Sequence, residues 1–327
     1  MASNRSKLHQ ICADFLHHLS ATKNLSRHTH RAYETDLRDF LTFVGGHKTL
    51  EVCTRELLQS YMHHLQHERE LKTSTVKRRL ACLRQLFLWL EDEERIEVTP
   101  FQRLRVRLRL PHRLPRTLTR REVRALILES AKRLGIYRNK RYTPQNLPLH
   151  PDPDALQQLT TLVCIELLFS TGIRVGELVA IRLRDLDIDT STILIQGKGH
   201  RQRHVFLPDD TLHALISRYL QIRSSLHPTT SQLILHPSLD RLTTTAHVRR
   251  WIAEAGRQAS LTRRITPHMF RHTAATHLLE AGLDIRYVQR LLGHQSLTTT
   301  QIYTAVDSSH LRSLVRKYNC RGTLRRH

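Results

Sequence analysis

The first hundred residues repeat apolar side chains at the three- and four-residue spacing of amphipathic helices. The four patterns run from Leu8 to Leu19, Tyr33 to Val44, Leu57 to Leu65 and Val76 to Leu90. Ser26 and Thr54 can cap the second and third helices, Thr73 or Ser74 opens the fourth, and Gly45-Gly46 ends the second. No glycine interrupts these patterns. We therefore predict a compact helical domain over residues 1–100.

A short basic segment follows, over residues 101–116. Its arginines are Arg103, Arg105, Arg107, Arg109, Arg113 and Arg116, with no acidic residue between them. Pro111 and Pro115 disfavour a helix, and the alternation of arginine with apolar residues fits an extended strand with one cationic face. Two interpretations stay open for this segment: a solvated linker, or a basic strap that follows DNA phosphates between two domains.

Residues 117–327 mix helices with a small sheet, which predicts an α+β second domain in a mainly α protein. An apolar helix from Leu156 to Phe169 stops at Thr171-Gly172, and a hairpin pairs Thr192–Gln196 with His204–Leu207 around the turn GKGH. Further helices start at Asp209 or Asp210, at Thr266-Pro267 (running to Gly282) and at Asp284 (stopping at Gly293). The proline-rich stretch from Gly135 to Pro153 is predicted to be a surface excursion of no evident role.

Charge and composition narrow the class of protein. Lys and Arg number 52 against 29 Asp and Glu in 327 residues, so the formal net charge is +23. This excess favours a polyanionic partner such as nucleic acid, while 39% hydrophobic residues still allow sizeable cores. No apolar run reaches the roughly 18 residues of a membrane span, and the N-terminus lacks an apolar secretory core. Five scattered cysteines favour reduced thiols. We predict a cytoplasmic protein.

Four places in the second domain hold polar side chains that packing does not require. They are Arg174 and Glu177 in TGIRVGEL, Lys198 in the hairpin turn, His268 and Arg271 on one face of a predicted helix, and His294 followed nine residues later by Tyr303. Each is ordinary by itself, because an Arg beside a Glu is usually a surface pair and a Lys at a hairpin tip is usually solvated. Only the combination is informative.

Weaker signals have simpler interpretations. His63, His64 and His67 could place two imidazoles on one helix face for a metal. Since no cysteine or second ligand pair lies nearby, solvated or DNA-facing histidines are favoured and no metal site is predicted. Met269 and Phe270, between His268 and Arg271, are predicted to belong to the core.

The stretches TGIRVGEL, PHMFRHTAATHLL, DIRYVQRLLGHQSLTTTQIYTAV and the GKG hairpin resemble the tyrosine recombinases, the phage-integrase family, and its simple Xer-type members in particular. The resemblance implies a helical SAM-like core-binding domain followed by a catalytic domain. It places catalytic residues at Arg174, Lys198, His268, Arg271, His294 and Tyr303, with Tyr303 as nucleophile and Glu177 at the supporting acidic position. It implies no cofactor, a double-stranded DNA site as partner, and a homo- or hetero-tetramer on that DNA.

The implied function is site-specific DNA recombination through a covalent 3′-phosphotyrosine. Dimer resolution, transposon cointegrate resolution and simple integration all stay open as roles. Because the first helical pattern starts near Leu8, we expect no additional arm-binding domain and short core sites as targets. The alternatives are a type IB topoisomerase-like relaxase and a DNA-binding accessory protein that does not cleave.

The tail after Asp307 carries another helical stripe, formed by Leu311, Leu314, Val315 and Tyr318. It could pack on its own domain. The family resemblance implies the alternative, in which a terminal helix docks into a neighbouring protomer of the tetramer.

Overall fold

The computed structural model describes residues 7–22, 27–45, 48–102, 104, 117–138, 141–197, 202–293 and 308–318. The chain forms two compact units, Met1–Arg113 and Leu114–His327. Of the basic segment 101–116, only Phe101, Gln102 and Leu104 are among the described residues, and all six of its arginines lie outside them. The domain limits of 1–100, 101–116 and 117–327 therefore stay a prediction.

The first unit is helical, as the periodicity predicts. Its helices are α1 (Leu8–Thr22), α2 (Arg27–Val44), α3 (Arg55–His63) and α4 (Thr73–Asp92), with short helical turns at Leu50–Val52 and His64–Glu68. The Thr54 side chain caps α3 by accepting from the Leu57 amide at 3.2 Å, and Gly45 follows α2 with φ of +85°. Phe15, Phe40 and Tyr61 lie among the residues of a single buried core.

A group of ion pairs joins α2 and α4 in this unit, and within it Asp36 and Arg79 are buried. Asp36 binds Arg78, and Asp39 binds both Arg69 and Arg79. The Tyr61 hydroxyl donates to Asp39 at 2.8 Å, and Arg79 Nε lies 3.8 Å from Asp36. Each carboxylate thus faces at least one guanidinium. We call these residues the helical-unit charge network.

The second unit surrounds one long apolar helix. Its helices are α5 (Arg120–Arg133), α6 (Pro153–Thr171), α7 (Val175–Ala180), α8 (Asp210–Ser225), α9 (Thr245–Gln258), α10 (Pro267–Glu280), α11 (Ile285–Leu292) and α12 (Ser308–Lys317). Every residue of α6 from Leu159 to Phe169 is buried, and α5, α8, α9 and α10 all pack against it. This arrangement explains why its sequence is apolar on all sides.

Two small antiparallel sheets complete the unit. The first pairs β1 (Tyr137–Arg138) with β2 (Arg141–Tyr142), and the second contains β3 (Leu186–Asp187), β4 (Thr192–Gln196) and β5 (Gln202–Phe206) in that order. The predicted hairpin is confirmed, with its second strand beginning two residues earlier than expected. Its register places Ile195 opposite Arg203 and Ile193 opposite Val205.

The stretch from Gly135 to Pro153 is held against its own unit rather than being a simple surface loop. After β2 it forms a short helical turn at Pro144–Asn146, and Leu147 is buried. Arg218 of α8 donates through Nε to the Leu147 carbonyl at 3.1 Å, and the Ser225 hydroxyl donates to Leu149 at 2.7 Å. These contacts tie the stretch to α8.

The stripe of α12 packs on its own unit in this structure. Val315 is buried in the core of the second unit, and Leu314 and Tyr318 pack against that core. Of the two interpretations of the tail, packing within the chain is therefore the one that the described residues show. None of the helices in the described part of the chain is long and apolar enough to cross a membrane.

Candidate active site

The site begins where α6 ends. Gly172 has φ of +63° and terminates the helix, as the sequence predicts. A Cβ at this position would lie 2.5 Å from Leu292 Cδ2 and 3.3 Å from Ala274 Cβ, so the backbone here approaches both α11 and α10. The chain then turns and places Arg174 at the N-terminal cap of α7. Glycine is needed here for conformation and for space.

Glu177 lies in the first turn of α7 and is only 8% exposed. Its carboxylate accepts from the Arg174 amide at 2.8 Å and from Arg174 Nη1 at 2.9 Å. It also accepts both Nη atoms of Arg203, at 3.0 and 2.7 Å. Burial by itself would raise the pKa of Glu177, but the hydrogen bonds and charges of Arg203 and Arg174 outweigh it and lower that pKa. The carboxylate is therefore ionised and holds two guanidiniums.

Arg271 lies on α10 and is 9% exposed. Its guanidinium donates to the Gly172 carbonyl at 2.8 Å and to the Leu292 carbonyl at 2.5 Å. Burial and the charges of Arg174 and Arg203 lower the pKa of Arg271 to about 10, while the charge of Glu177 opposes the shift. The group still carries its positive charge at neutral pH.

His268 precedes Arg271 by one helical turn, and its side chain is exposed while Met269 and Phe270 between them are buried. The core assignment of these two residues is thus confirmed. Burial and the positive charges of Arg249, His272, Arg271 and Arg174 lower the pKa of His268 below its usual 6.5. The imidazole is therefore mostly neutral at neutral pH and able to accept a proton.

Three arginines converge on the end of α11. Arg203 Nε donates to the Leu291 carbonyl at 3.0 Å, Arg271 to that of Leu292, and Arg174 Nη2 to that of Gly293 at 3.2 Å. The last carbonyls of a helix lack intrahelical donors and carry its negative dipole end, so cations are stabilised there. With the Gly172 carbonyl that also accepts Arg271, one carboxylate and four carbonyls hold three guanidiniums, so the positive charge is only partly neutralised.

The structure brings Arg174, His268 and Arg271 together, with Glu177 beside them. Lys198, His294 and Tyr303 lie outside the described residues. Lys198 follows β4 in the hairpin, whose ends are joined by a bond from Gln202 Nε2 to Gln196 Oε1 at 3.1 Å. His294 comes directly after Gly293 in the chain.

Sequence reasoning missed Arg203, although β5 carries a signal for it. Arg203 lies opposite the buried Ile195, and two residues before the buried Val205, so the strand alternation places it on the inward face. A charged residue at an inward position is expected to have a buried partner. For Arg203 that partner is Glu177.

Comparisons with known proteins agree on one family. Residues 149–310 match the phage integrase family, and residues 12–94 match the phage integrase N-terminal SAM-like domain. Over 318 residues the chain is 34% identical to tyrosine recombinase XerC of Listeria innocua serovar 6a, which covers 96% of this chain and 98% of that protein.

Two solved structures share the fold. The XerH site-specific recombinase bound to its difH substrate before cleavage superimposes with a TM-score of 0.68 at 19% identity, covering 96% of each chain. A lambda integrase tetramer bound to a Holliday junction gives a TM-score of 0.65 at 17% identity, covering 90% of this chain and 76% of that one. The mainly helical architecture with one small three-stranded sheet is thus a known one.

Proposed function

Because this chain belongs to the phage integrase family of tyrosine recombinases, enzymes that cut and rejoin DNA at specific sites, we propose that it performs the reaction with Tyr303 as nucleophile and Arg174, Arg271, Lys198, His268 and His294 around the phosphate. One observation carries the assignment. Arg174 and Arg271 donate to the adjacent carbonyls of Gly293 and Leu292. Two cations that the chain separates by almost a hundred residues therefore meet beside His268.

The arginines supply what a phosphodiester needs before it can be attacked. Its non-bridging oxygens carry negative charge that repels a nucleophile until cations neutralise it. Guanidiniums do this through forked hydrogen bonds and remain charged at working pH. Arg174 is 43% exposed on its side chain, so it is accessible to a phosphate, whereas the buried Arg271 is fixed by two carbonyls. We assign the phosphate oxygens to this pair, with His294 as a further donor.

Proton transfers complete the cleavage step. The Tyr303 oxygen forms a bond to phosphorus, the bond from phosphorus to the 5′-oxygen breaks, and the DNA keeps a 3′-phosphotyrosyl link. His268 takes the phenol proton, which its lowered pKa allows at neutral pH. Lys198 gives a proton to the departing 5′-oxygen. Attack by the 5′-hydroxyl of a partner strand reverses each transfer, so the covalent link preserves the bond energy for rejoining.

The partner is double-stranded DNA, which the net charge of +23 favours. We assign core-site binding to residues 1–100, phosphate contacts to the basic segment 101–116 and chemistry to residues 117–327. Strand exchange needs four cleaving subunits at one junction, and the related lambda integrase has been solved as a tetramer on such a junction. We therefore propose a tetramer on DNA, formed by this chain alone or with a second recombinase.

The covalent link is the direct test. On a nicked cognate site, whose short 5′-hydroxyl fragment diffuses away, the protein is expected to remain attached to the 3′-phosphate in excess EDTA and without ATP. Tyr303→Phe removes only the nucleophilic oxygen, so DNA binding persists while the adduct disappears. Tyr287→Phe and Tyr318→Phe are the matched controls and should retain the adduct. Peptide mapping that placed the DNA on either control tyrosine, or an adduct abolished by EDTA, would contradict the proposal.

Plasmids with and without the cognate site separate the rival functions. A recombinase yields exchanged products only when the site is present. A type IB-like relaxase removes supercoils without exchange, and an accessory protein leaves both plasmids unchanged. Sequencing the trapped DNA from the adduct identifies the target.

A further inference from the structure

Arg203 holds three elements of the catalytic unit together. From β5 it donates through both Nη atoms to Glu177 of α7, and through Nε to the Leu291 carbonyl of α11. Its side chain is 15% exposed. A Cβ at Gly293, the residue that ends α11, would lie 3.2 Å from Arg203 Nη1, so the helix end packs directly on this guanidinium.

The partners of Arg203 are also the partners of the proposed phosphate ligands. Glu177 accepts Arg174 through its other hydrogen bonds. The Leu291 carbonyl directly precedes the two carbonyls that accept Arg271 and Arg174. Any displacement of Glu177 or of the end of α11 therefore moves the guanidiniums that are proposed to bind the phosphate.

We propose that Arg203 is a positioning residue of the recombination reaction, which fixes Arg174 through Glu177 and fixes the end of α11 that supports both catalytic arginines. This inference rests on the proposed function of Arg174 and Arg271. Arg203 also leads out of the hairpin turn that contains Lys198, and α11 leads into the segment that begins with His294. A single guanidinium thus joins the chain segments next to three of the six proposed catalytic residues, Arg174, Lys198 and His294.

Only arginine can make this set of contacts. The guanidinium directs two donors in one plane at a carboxylate and a third at a carbonyl, whereas the ammonium of lysine is a point charge without fork geometry. Arg203→Lys would keep the charge near Glu177 but lose the fork. It would also leave the Leu291 carbonyl without its donor.

The second unit contains a matched pair that serves as the control. Glu122 is the third residue of α5 and accepts the Thr119 amide at 2.7 Å, just as Glu177 accepts the Arg174 amide. Arg263 forks onto Glu122 at 2.8 and 2.7 Å and donates to the Thr117 carbonyl at 2.6 Å. The arrangement is the same, but neither residue contacts Arg174 or Arg271 in the bonds that the structure records.

The experiment is a double-mutant cycle on the single-turnover cleavage rate at saturating DNA, with thermal unfolding and DNA affinity measured in parallel. Arg203→Gln should slow cleavage by about 10²-fold, the scale of a small misplacement of reacting groups, with little change in DNA affinity. The cleavage rate of Arg203→Lys should also be well below that of the wild type. In a Glu177→Gln background, Arg203→Gln should reduce the cleavage rate by a smaller factor than in the wild type, because the part of its effect that passes through Glu177 is already lost. Arg263→Gln should lower the unfolding temperature and leave cleavage unchanged.

Three results would contradict the inference. Arg203→Gln could cleave at the wild-type rate, or it could lower the cleavage rate by the same factor in the wild-type and Glu177→Gln backgrounds. Arg263→Gln could also lower the cleavage rate as much as Arg203→Gln does. Recovery of cleavage in the Glu177→Gln/Arg203→Gln protein would overturn it too, since Arg203 would then serve only to balance a buried charge. The wild-type adduct on Tyr303 is measured first, so a failure of the proposed function is recognised separately.

Discussion

Each of the two units of the chain contains a group of arginines around a buried carboxylate, Asp36 in one and Glu177 in the other, and the two groups differ in what their arginines bind. In the helical-unit charge network, the three guanidiniums of Arg69, Arg78 and Arg79 all end on two carboxylates, Asp36 and Asp39. In the catalytic unit, only Arg174 and Arg203 bind the single carboxylate, that of Glu177, while Arg271 and the remaining donors reach backbone carbonyls. The first group has two carboxylates for three guanidiniums. The second has one carboxylate for three, so it keeps the larger excess of positive charge.

Carbonyl partners explain why the excess matters. A neutral carbonyl accepts a guanidinium more weakly than an anion does, because only the charged acceptor adds a Coulombic attraction. A phosphate that reaches Arg174 can therefore replace or supplement the Gly293 carbonyl with a stronger partner. In the first unit the exposed guanidiniums of Arg69 and Arg78 already have anionic partners, Asp39 and Asp36. Because the side chains of Arg78 and Arg174 are equally exposed, at 43%, the carbonyl partner of Arg174 and the larger positive excess around it, rather than exposure, favour an anion site in the catalytic unit.

Carbonyl partners alone do not indicate function, and Arg223 shows why. It is buried on α8 and donates to the carbonyls of Gln232 and Thr230, and burial lowers its pKa as well. Tyr219 opposes this shift, and among the described residues no other arginine and no histidine is recorded as acting on the pKa of Arg223. It holds a loop in place.

The largest expected effect tests this distinction directly. Arg271→Lys keeps a positive charge but cannot bind the Gly172 and Leu292 carbonyls and a phosphate together, so cleavage should slow by about 10²–10³-fold, as for the loss of one preorganised donor to a developing charge. Arg223→Lys is the matched control, and it should reduce the unfolding temperature while cleavage stays at the wild-type rate. Single-turnover cleavage at saturating DNA measures both. If the two variants lost cleavage activity equally, the proposed functional difference between Arg271 and Arg223 would be wrong.

The next effect concerns the helical-unit charge network. Arg79→Met removes one guanidinium while Asp36 keeps Arg78 and Asp39 keeps Arg69, so the free energy of unfolding should fall by about 1–3 kcal/mol, the range for a buried polar group that loses a partner. Denaturant unfolding measures it. Arg38→Met, which breaks an exposed pair with Glu34, is the control and should cost well under 1 kcal/mol. Cleavage by DNA-bound protein should be unchanged in both. Slower cleavage by Arg79→Met would show that the network also serves catalysis.

Much of the fold could be predicted from the sequence because its signals are local. Helical periodicity located α1 to α4, and the glycines that end α6 and α11 marked two turns at the site itself. The family resemblance supplied the separate pieces of the site. Neither source could show that Arg174, Arg203 and Arg271 bind three consecutive carbonyls, since such contacts join residues far apart in the chain and depend on tertiary packing.

Arg203 shows the physical limit of the motif approach. The hairpin motif points to Lys198 as its functional residue. The polar residues beside Arg203 predict that the second strand is exposed to solvent. The inward position of Arg203 becomes evident only once the register of β4 and β5 is known, because a shift by one residue would turn it to solvent. The stretch from Gly135 to Pro153 is a similar case, since prolines predict irregular backbone but not its attachment to α8.

The smallest expected effect is a shift in the pH dependence of cleavage. It tests whether the excess of positive charge also lowers the pKa of His268, the proposed general base. If His268 accepts the phenol proton, cleavage requires its neutral form and falls as the pH drops through its pKa. Burial and the charges of Arg249 and the catalytic arginines lower this pKa, so the fall should lie below pH 6.5. Arg249→Gln removes one of these charges and should move the fall towards pH 6.5. Arg250→Gln is the control, because the charge of Arg250 acts on His236 and His247 instead. The rate at subsaturating DNA, which reports the free enzyme, gives the profile. A fall above pH 6.5 in the wild type, or the same shift in both variants, would mean that the imidazole of His268 is not the group that titrates.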